Sequence, residues 1–299
     1  MKQKIVQIVP SEQGAQSGIS SIETLAEQHL FQKPEEQQVQ IRLAHTAEDL
    51  AAAYSLVYDR YVKQGFQAED PKGIRFTPHF ALPTSHTFIA AIGTEVVGTL
   101  TMIIDGALGL CMEKDYPDEI KALRDRGCRM AELSCLVTRR SRDLPALLRL
   151  FHAAYAYALH QQGVTDFCIA VTTEHQQFYR SALLFEQIGD SKPCAVLSNN
   201  ADVVGMRLNL PSAEQAYYNA YSIRRMLGRF FLGKKGIEQL SKQLILPNQD
   251  AFYTRLAFAR TYLDWLSLST GVTSKIEAAY AESLHLEAEY KAKHALQIA

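Results

Sequence analysis

The stretch Cys128–Val137, CRMAELSCLV, decides how the rest of the chain is read. It is free of glycine and proline, mostly apolar, and carries one carboxylate, Glu132, near its middle. That pattern is a strand. Side chains alternate across a strand, so Met130, Glu132, Ser134 and Leu136 are expected on one face and Ala131, Leu133, Cys135 and Val137 on the other. The second face is small or apolar throughout and reads as core. The first sets an ionisable group among apolar neighbours. A carboxylate so placed is either paired with an arginine or is a general base whose pKa the surroundings raise.

Working outward, Glu113–Arg126 reads as a helix stopped by Gly127, and Leu144–Gln162 as an amphipathic helix through Leu147, Leu148, Phe151, Tyr155 and Ala158. Between that second helix and the central strand lies TRRSRD. Arg139, Arg140 and Arg142 there precede a helix start, whose amides and dipole add to their field. From Lys121 to Arg149 eight basic residues stand against three acidic ones, which fits a solvated basic face, a phosphate-bearing ligand or an acidic carrier protein. Upstream, Val39–Ala44 alternates as a strand. Leu50–Tyr61 has helical spacing, and Thr87–Ile92 and Glu95–Ile104 form a hairpin about Gly93-Thr94. Downstream follow a compact strand, Asp166–Val171, a helix, Glu174–Leu184, and a closing hairpin from Ala195–Leu197 to Val203–Leu210.

After Pro211 no strand signal remains. Ser212-x-x-Gln215 resembles a capping box, and helices are expected over 212–227, 236–245, 249–268 and 273–295. The expected organisation is an N-terminal arm (1–38), an α+β domain (39–211) and a helical C-terminal domain (212–299). Aromatic and apolar stripes in the last part (Tyr217, Tyr221, Met226, Phe230, Phe231, then Phe252, Leu256, Leu263, Leu266) must bury against something. The α+β domain is the favoured partner, with the helices walling an acyl tunnel. A second copy of the chain, and peripheral membrane contact through Arg224, Arg225, Arg229, Lys234 and Lys235, are the alternatives.

Composition closes off several classes. The 299 residues are 47% hydrophobic and 21% charged, enough for a substantial core. Lys plus Arg total 31 against 32 Asp plus Glu, a net charge of −1, without the basic excess of a dedicated nucleic-acid binder. No apolar run approaches the roughly 18 residues of a membrane span, and no signal peptide is evident. Five widely spaced cysteines, none in a CxxC pair, offer no zinc site and read as reduced thiols. A soluble cytoplasmic protein is expected. A glycine cradle for nucleotide phosphates is absent.

The order of elements resembles the GCN5-related N-acetyltransferase fold, a mixed, mostly antiparallel sheet flanked by helices. Within it the chain is most similar to N-acyl amino acid synthases and the acyl-homoserine-lactone autoinducer synthases. The residues that carry this are Leu56-Val57-Tyr58, Glu69-Asp70, Val97-Gly98-Thr99-Leu100, Glu132-Leu133-Ser134 and His175-x-x-Phe178-Tyr179, across about Ile41 to Leu210. Autoinducer synthases have arginines where this chain has Thr101 and Cys135, which counts against lactone formation. The usual acetyl-CoA loop is also missing, since Arg139–Pro145 contains no glycine.

The resemblance implies transfer of a fatty acyl group from an acyl-phosphopantetheine thioester, on an acyl carrier protein or CoA, to the α-amine of an amino acid. No permanently bound cofactor is implied. Glu132 would be the base and Tyr179 the donor to the departing thiolate. Ser134, Cys135, Leu136, Arg139, Arg140 and Arg142 would hold the thioester arm, and Asp70, Thr101, His175 and Phe178 the acceptor. A lactone-synthase-like enzyme, a small-molecule acetyltransferase and a non-catalytic acyl-chain sensor are the alternatives.

Overall fold

A computed structural model describes residues 39–140, 143–221, 244, 249–263, 266 and 268–295. Its centre is one sheet. The strands are β1 (Gln40–Leu43), β2 (Ser85–Ile92), β3 (Glu95–Ile104), β4 (Met130–Thr138), β5 (Asp166–Thr172), β6 (Glu186–Gln187), β7 (Lys192–Pro193) and β8 (Asp202–Asn209). They lie in the order β1-β2-β3-β4-β5-β8-β6, with β7 also on β8. The helices are α1 (Ala47–Lys63), α2 (Pro117–Asp125), α3 (Leu144–Gln161), α4 (Thr173–Ala182), α5 (Leu210–Tyr221), α6 (Gln249–Leu263) and α7 (Thr270–Ala295).

Local chemistry explains most boundaries. Gly93, at φ +60°, opens the two-residue β2–β3 turn. Asp143 caps α3 by accepting from the Ala146 amide at 3.2 Å, and Pro145 occupies the first turn. Pro117 splits the expected Glu113–Arg126 helix into a 3₁₀ turn, Cys111–Lys114, and α2. The expected strand Ala195–Leu197 is a turn; β8 pairs instead with β6 and β7.

Every pairing in the sheet is antiparallel except β4 with β5, which are joined through α3. That parallel pair is short. Its register runs only from Met130↔Asp166 to Glu132↔Cys168, after which the strands part.

The second irregularity is in β4 itself. Thr101 pairs with Ser134 but Thr99 pairs with Val137, so β4 carries one residue more than β3, and Cys135 sits at φ +56°. This β-bulge corrects the expected alternation. Ala131, Leu133 and Leu136 pack with α3, whereas Cys135 and Val137 join the cluster beneath α1, on the side that Glu132 faces. Leu136 is thus on the opposite face from Glu132, and Cys135 on the same one.

The C-terminal helices pack against the same two cores. α5 follows β8 directly and is capped by Asn209, whose Oδ1 accepts from the Ser212 amide at 3.1 Å, so Ser212 is not its cap. Tyr217 is 1% exposed, and its hydroxyl donates to the Leu183 carbonyl at 2.9 Å. From α6, Phe258 packs on Tyr54, Phe76 and Tyr262, and Arg255 donates to the Leu82 and Ser85 carbonyls. From α7, Ile276 and Tyr280 enter the same cluster. The Tyr221, Met226, Phe230, Phe231, Phe252 and Leu263 side chains, the basic residues from Arg224 to Lys235, and the arm 1–38 lie outside the described residues. No helix among the described residues is long and apolar enough to cross a membrane.

Candidate active site

The parting of β4 and β5 opens a cleft of about 570 Å³, with Leu133–Thr138 on one wall and Ala170–Thr172 on the other. Glu132 lies at its foot, at the last paired register, and is 5% exposed. Its Oε2 accepts from the Met112 amide at 3.0 Å, and the Cys111 amide bonds the same carboxyl. The 3₁₀ turn Cys111–Lys114 therefore presents its free N-terminal amides to the base, as such turns can. Burial dominates even so: desolvation, assisted by the nearby charge of Asp115, raises the Glu132 pKa to about 7 against the two backbone bonds that lower it. No arginine among the described residues pairs with Glu132.

A raised carboxyl pKa has a consequence for folding. The protonated form is favoured in the native state, so this group's contribution is full below its ordinary pKa and is lost as pH rises through about 7. From 4.5 to about 7 that amounts to on the order of 3 kcal/mol by pH 8. Glu132→Gln is therefore expected to gain several degrees of melting temperature over wild type at pH 8 and little at pH 4.5. Thermal melts of both proteins across that range check this, and a Tm difference independent of pH would contradict the assignment.

Next to the base, the bulge leaves Cys135 and Leu136 without partners in the β3 register, and both residues line the cleft. Ser134 Oγ lies 3.5 Å from Cys135 Sγ, and Tyr61 Oη 3.9 Å from the same sulfur. Across the cleft, α4 supplies His175, Phe178 and Tyr179. His175 Nδ1 is 2.7 Å from Thr172 Oγ1, at the exposed start of that helix. The Tyr179 ring is fixed edge-on against Phe178 and Phe185, at 5.4 and 5.7 Å, and burial holds its phenol above its ordinary pKa.

Of the residues expected from sequence, Glu132, Ser134, Cys135 and Leu136 thus meet His175, Phe178 and Tyr179 in one cleft, and Arg140 lies at its edge. Others are placed elsewhere. Thr101 is fully buried, 3.3 Å from Thr87 Oγ1, which in turn meets Tyr54 Oη at 3.0 Å; it is part of a hydroxyl chain inside the core. Asp70 closes a turn by accepting from the Lys72 amide at 2.9 Å and borders a smaller hollow of about 190 Å³. Arg139 is paired with Glu95 and points away from the cleft lining. Arg142 lies outside the described residues. The basic face is partly neutralised: Lys121 pairs with Asp125, and Arg124 with Asp105 and Glu113. None of the described α6 and α7 residues lines the large cleft, whereas Tyr262 and Leu266 border the smaller hollow.

Sequence reading missed Arg60. Its guanidinium donates to the Thr138 carbonyl at 2.9 and 2.6 Å and to the Arg139 carbonyl, tying α1 to the end of β4. The signal was present, because Arg60 follows buried Leu56 and Val57 by four and three residues on one helix face.

Comparison with known proteins agrees with this geometry. The family model for N-acyl amino acid synthase FeeM matches residues 52–209, just over half of the chain. The structure of FeeM, an N-acyl amino acid synthase from uncultured soil microbes, aligns with a TM-score of 0.55 at 27% identity over 61% of this chain and 97% of that one. A CoA-dependent acyl-homoserine lactone synthase, BjaI, solved with MTA, aligns with a TM-score of 0.50 at 18% identity over 75% of this chain and 100% of that one, a likeness of fold. No curated protein matches by sequence. The expected acetyltransferase-like fold is therefore the observed one, and the chain belongs to the N-acyl amino acid synthase FeeM family of acyltransferases.

Proposed function

We propose that this N-acyltransferase joins a fatty acyl group, carried as a phosphopantetheine thioester on an acyl carrier protein or CoA, to the α-amine of an amino acid. The observation that carries the reading is Glu132: a buried carboxyl with its pKa near 7, anchored by two amides at the foot of the β4–β5 cleft. An ordinary carboxylate is a poor base for an ammonium several units more basic than itself. Raising its pKa narrows the gap, and a positioned base then removes the proton as the amine attacks. The bulged Cys135–Leu136 backbone, which lines the cleft, is suited to hold the thioester arm and to offer an amide to the developing oxyanion.

The tetrahedral intermediate collapses by expelling a thiolate. Tyr179, whose phenol burial keeps protonated, stabilises that thiolate by donating a hydrogen bond. Full proton transfer from a phenol to a thiolate is uphill, so the thiol gains its proton by way of Glu132 or solvent. A cleft of this volume suits a long chain better than an acetyl group. On this reading residues 39–211 carry the reaction and α6 and α7 support it.

The deciding experiment incubates the purified protein with long-chain acyl-carrier protein or acyl-CoA and a mixture of amino acids, followed by mass spectrometry. N-acyl amino acids with stoichiometric thiol release support the reading. Tight binding of the donor with no amide product would identify an acyl-chain sensor instead. Arg140, exposed at the cleft's edge, is expected to meet the phosphate end of the donor or the acidic carrier. Arg140→Glu should raise the donor KM about 5- to 10-fold at low salt, with the difference shrinking as salt is added. An unchanged KM at low ionic strength would return Arg140 to the solvated surface.

A further inference from the structure

The wall of the large cleft holds a second carboxylate. Asp115 follows the 3₁₀ turn directly, lines the same cleft as Glu132 and is 9% exposed. Its Oδ1 accepts from the Ala195 amide at 3.3 Å and its Oδ2 from the Cys194 thiol at 3.4 Å. No cation among the described residues forms an ion pair with it. Lys192 comes near, but its Nζ donates to the Asp115 carbonyl oxygen at 2.8 Å and stands 4.3 Å from the centre of the Tyr116 ring. A buried charge without a counter-charge is costly, and an uncharged asparagine could accept from the Ala195 amide equally well. The charge on Asp115 therefore needs a cause beyond fastening the chain.

The cause lies one turn away. The Asp115 amide donates to the Met112 carbonyl at 3.0 Å, and the Met112 amide donates to Glu132 Oε2 at 3.0 Å. A run of contacts therefore leads from Ala195 and Cys194 through Asp115 and the Met112 peptide to the base. The other titratable groups around Glu132 are Cys111 on the turn and Cys168, its partner in the β5 register, and burial keeps both thiols protonated. Arg75 and Lys114 act on Cys111. Among the described residues Asp115 is the charge that acts on Glu132 itself, and it favours the protonated carboxyl.

We infer that Asp115 is a positioning residue for the base: its carboxylate fastens the turn that holds Glu132 to the 194–197 turn, and it sets a second negative charge beside Glu132. That charge makes Glu132 hold its proton more firmly, and so makes it a stronger base toward the acceptor ammonium. Asp115 acts through Glu132 and touches neither donor nor acceptor. This rests on the acyltransfer reading above and adds a residue that no step of it uses.

Two readouts test this. The first needs no substrate: thermal melts from pH 4.5 to 9 of wild type, Glu132→Gln, Asp115→Asn and the double variant. Asp115→Asn is nearly isosteric and keeps an oxygen for the Ala195 amide. In its background the alkaline Tm gain of Glu132→Gln should be smaller and should level off about half a unit to one unit lower in pH. The second is the rate profile. In Asp115→Asn the pH limb of kcat/KM for the acceptor should move down by the same amount, with kcat reduced about 2- to 5-fold and donor KM unchanged. Asp115→Ala, which removes charge and anchor together, should show the same displacement with a larger loss of kcat. Cys194→Ala, which removes one anchor and no charge, should leave the limb in place. Losses uniform across pH, with the limb and the melts undisplaced in both Asp115 variants, would make Asp115 a structural residue and overturn the inference while the acyltransfer reading stands. If wild type forms no amide, that reading fails on its own account, and the melts alone decide whether Asp115 acts on Glu132.

Discussion

Glu132→Gln lowers kcat by about 10²- to 10³-fold, the range a positioned general base supplies. The substitution keeps the side chain's length and an oxygen to accept from the Met112 amide, so the donor should bind as before. The split between constants is diagnostic: kcat falls, donor KM holds, because the lost interaction belongs to the transition state. In wild type kcat/KM should rise with pH through an apparent pKa near 7, the value burial gives this carboxyl. That limb should vanish in the variant. Residual activity within fivefold of wild type across pH 6 to 9 would remove Glu132 from the reaction and leave the cleft in search of another base. Paired with the Tm gain expected of the same variant at alkaline pH, the outcome would display one residue that costs stability where it supports turnover.

Phe258→Ala is expected to cost about 3 kcal/mol. The ring is 8% exposed and stands amid Tyr54, Phe76 and Tyr262, with centroids at 6.0, 6.0 and 4.4 Å, so truncation leaves a cavity in an aromatic cluster that cannot easily collapse. The measurement is the urea midpoint at constant m-value. A midpoint shift worth under 1 kcal/mol would mean that α6 rests on the α+β unit as a dispensable attachment. The expected loss would instead make the helices after β8 a structural part of it.

Much of the fold was legible because short-range chemistry settles it. The strand around Glu132, the Gly93-Thr94 turn and the Asp143–Pro145 start of α3 all follow from residues that enforce their own conformation. The bulge was not legible. Its left-handed residue is Cys135, where glycine or asparagine would have signalled a break, and an uninterrupted apolar run reads as regular strand. Only the pairing with β3 reveals the extra residue.

The site divides in the same way. Glu132 stood out as a carboxylate in an apolar run, and the α4 residues by resemblance. Arg75, Thr77 and His79, which also line the large cleft, lie in a loop without periodicity, and their grouping depends on how Phe76 and Phe80 are anchored by partners distant in sequence. Thr101 and Asp70 show the converse. Asp70 matched a family pattern and Thr101 stood where the autoinducer synthases have an arginine, yet Thr101 is a buried hydroxyl and Asp70 a turn residue, outside the lining of the large cleft.

The docking of α6 on Tyr54, Phe76 and the Pro78–Ala81 turn has a meaning in time as well as in space. A chain leaves the ribosome from its N-terminus, and roughly 180 residues separate Phe76 from Phe258, some 10–40 s of synthesis at about 5–20 residues per second. Through that interval the aromatic face made by α1 and the 74–81 stretch lacks its α6 cover, the kind of exposed apolar surface that makes partly made chains prone to aggregate. The strand bearing Glu132 can meanwhile be paired and shaped. Both sheet neighbours of the strand that bears Glu132, β3 and β5, are thus made before α6, whereas the covering of Tyr54 and Phe76 waits for it.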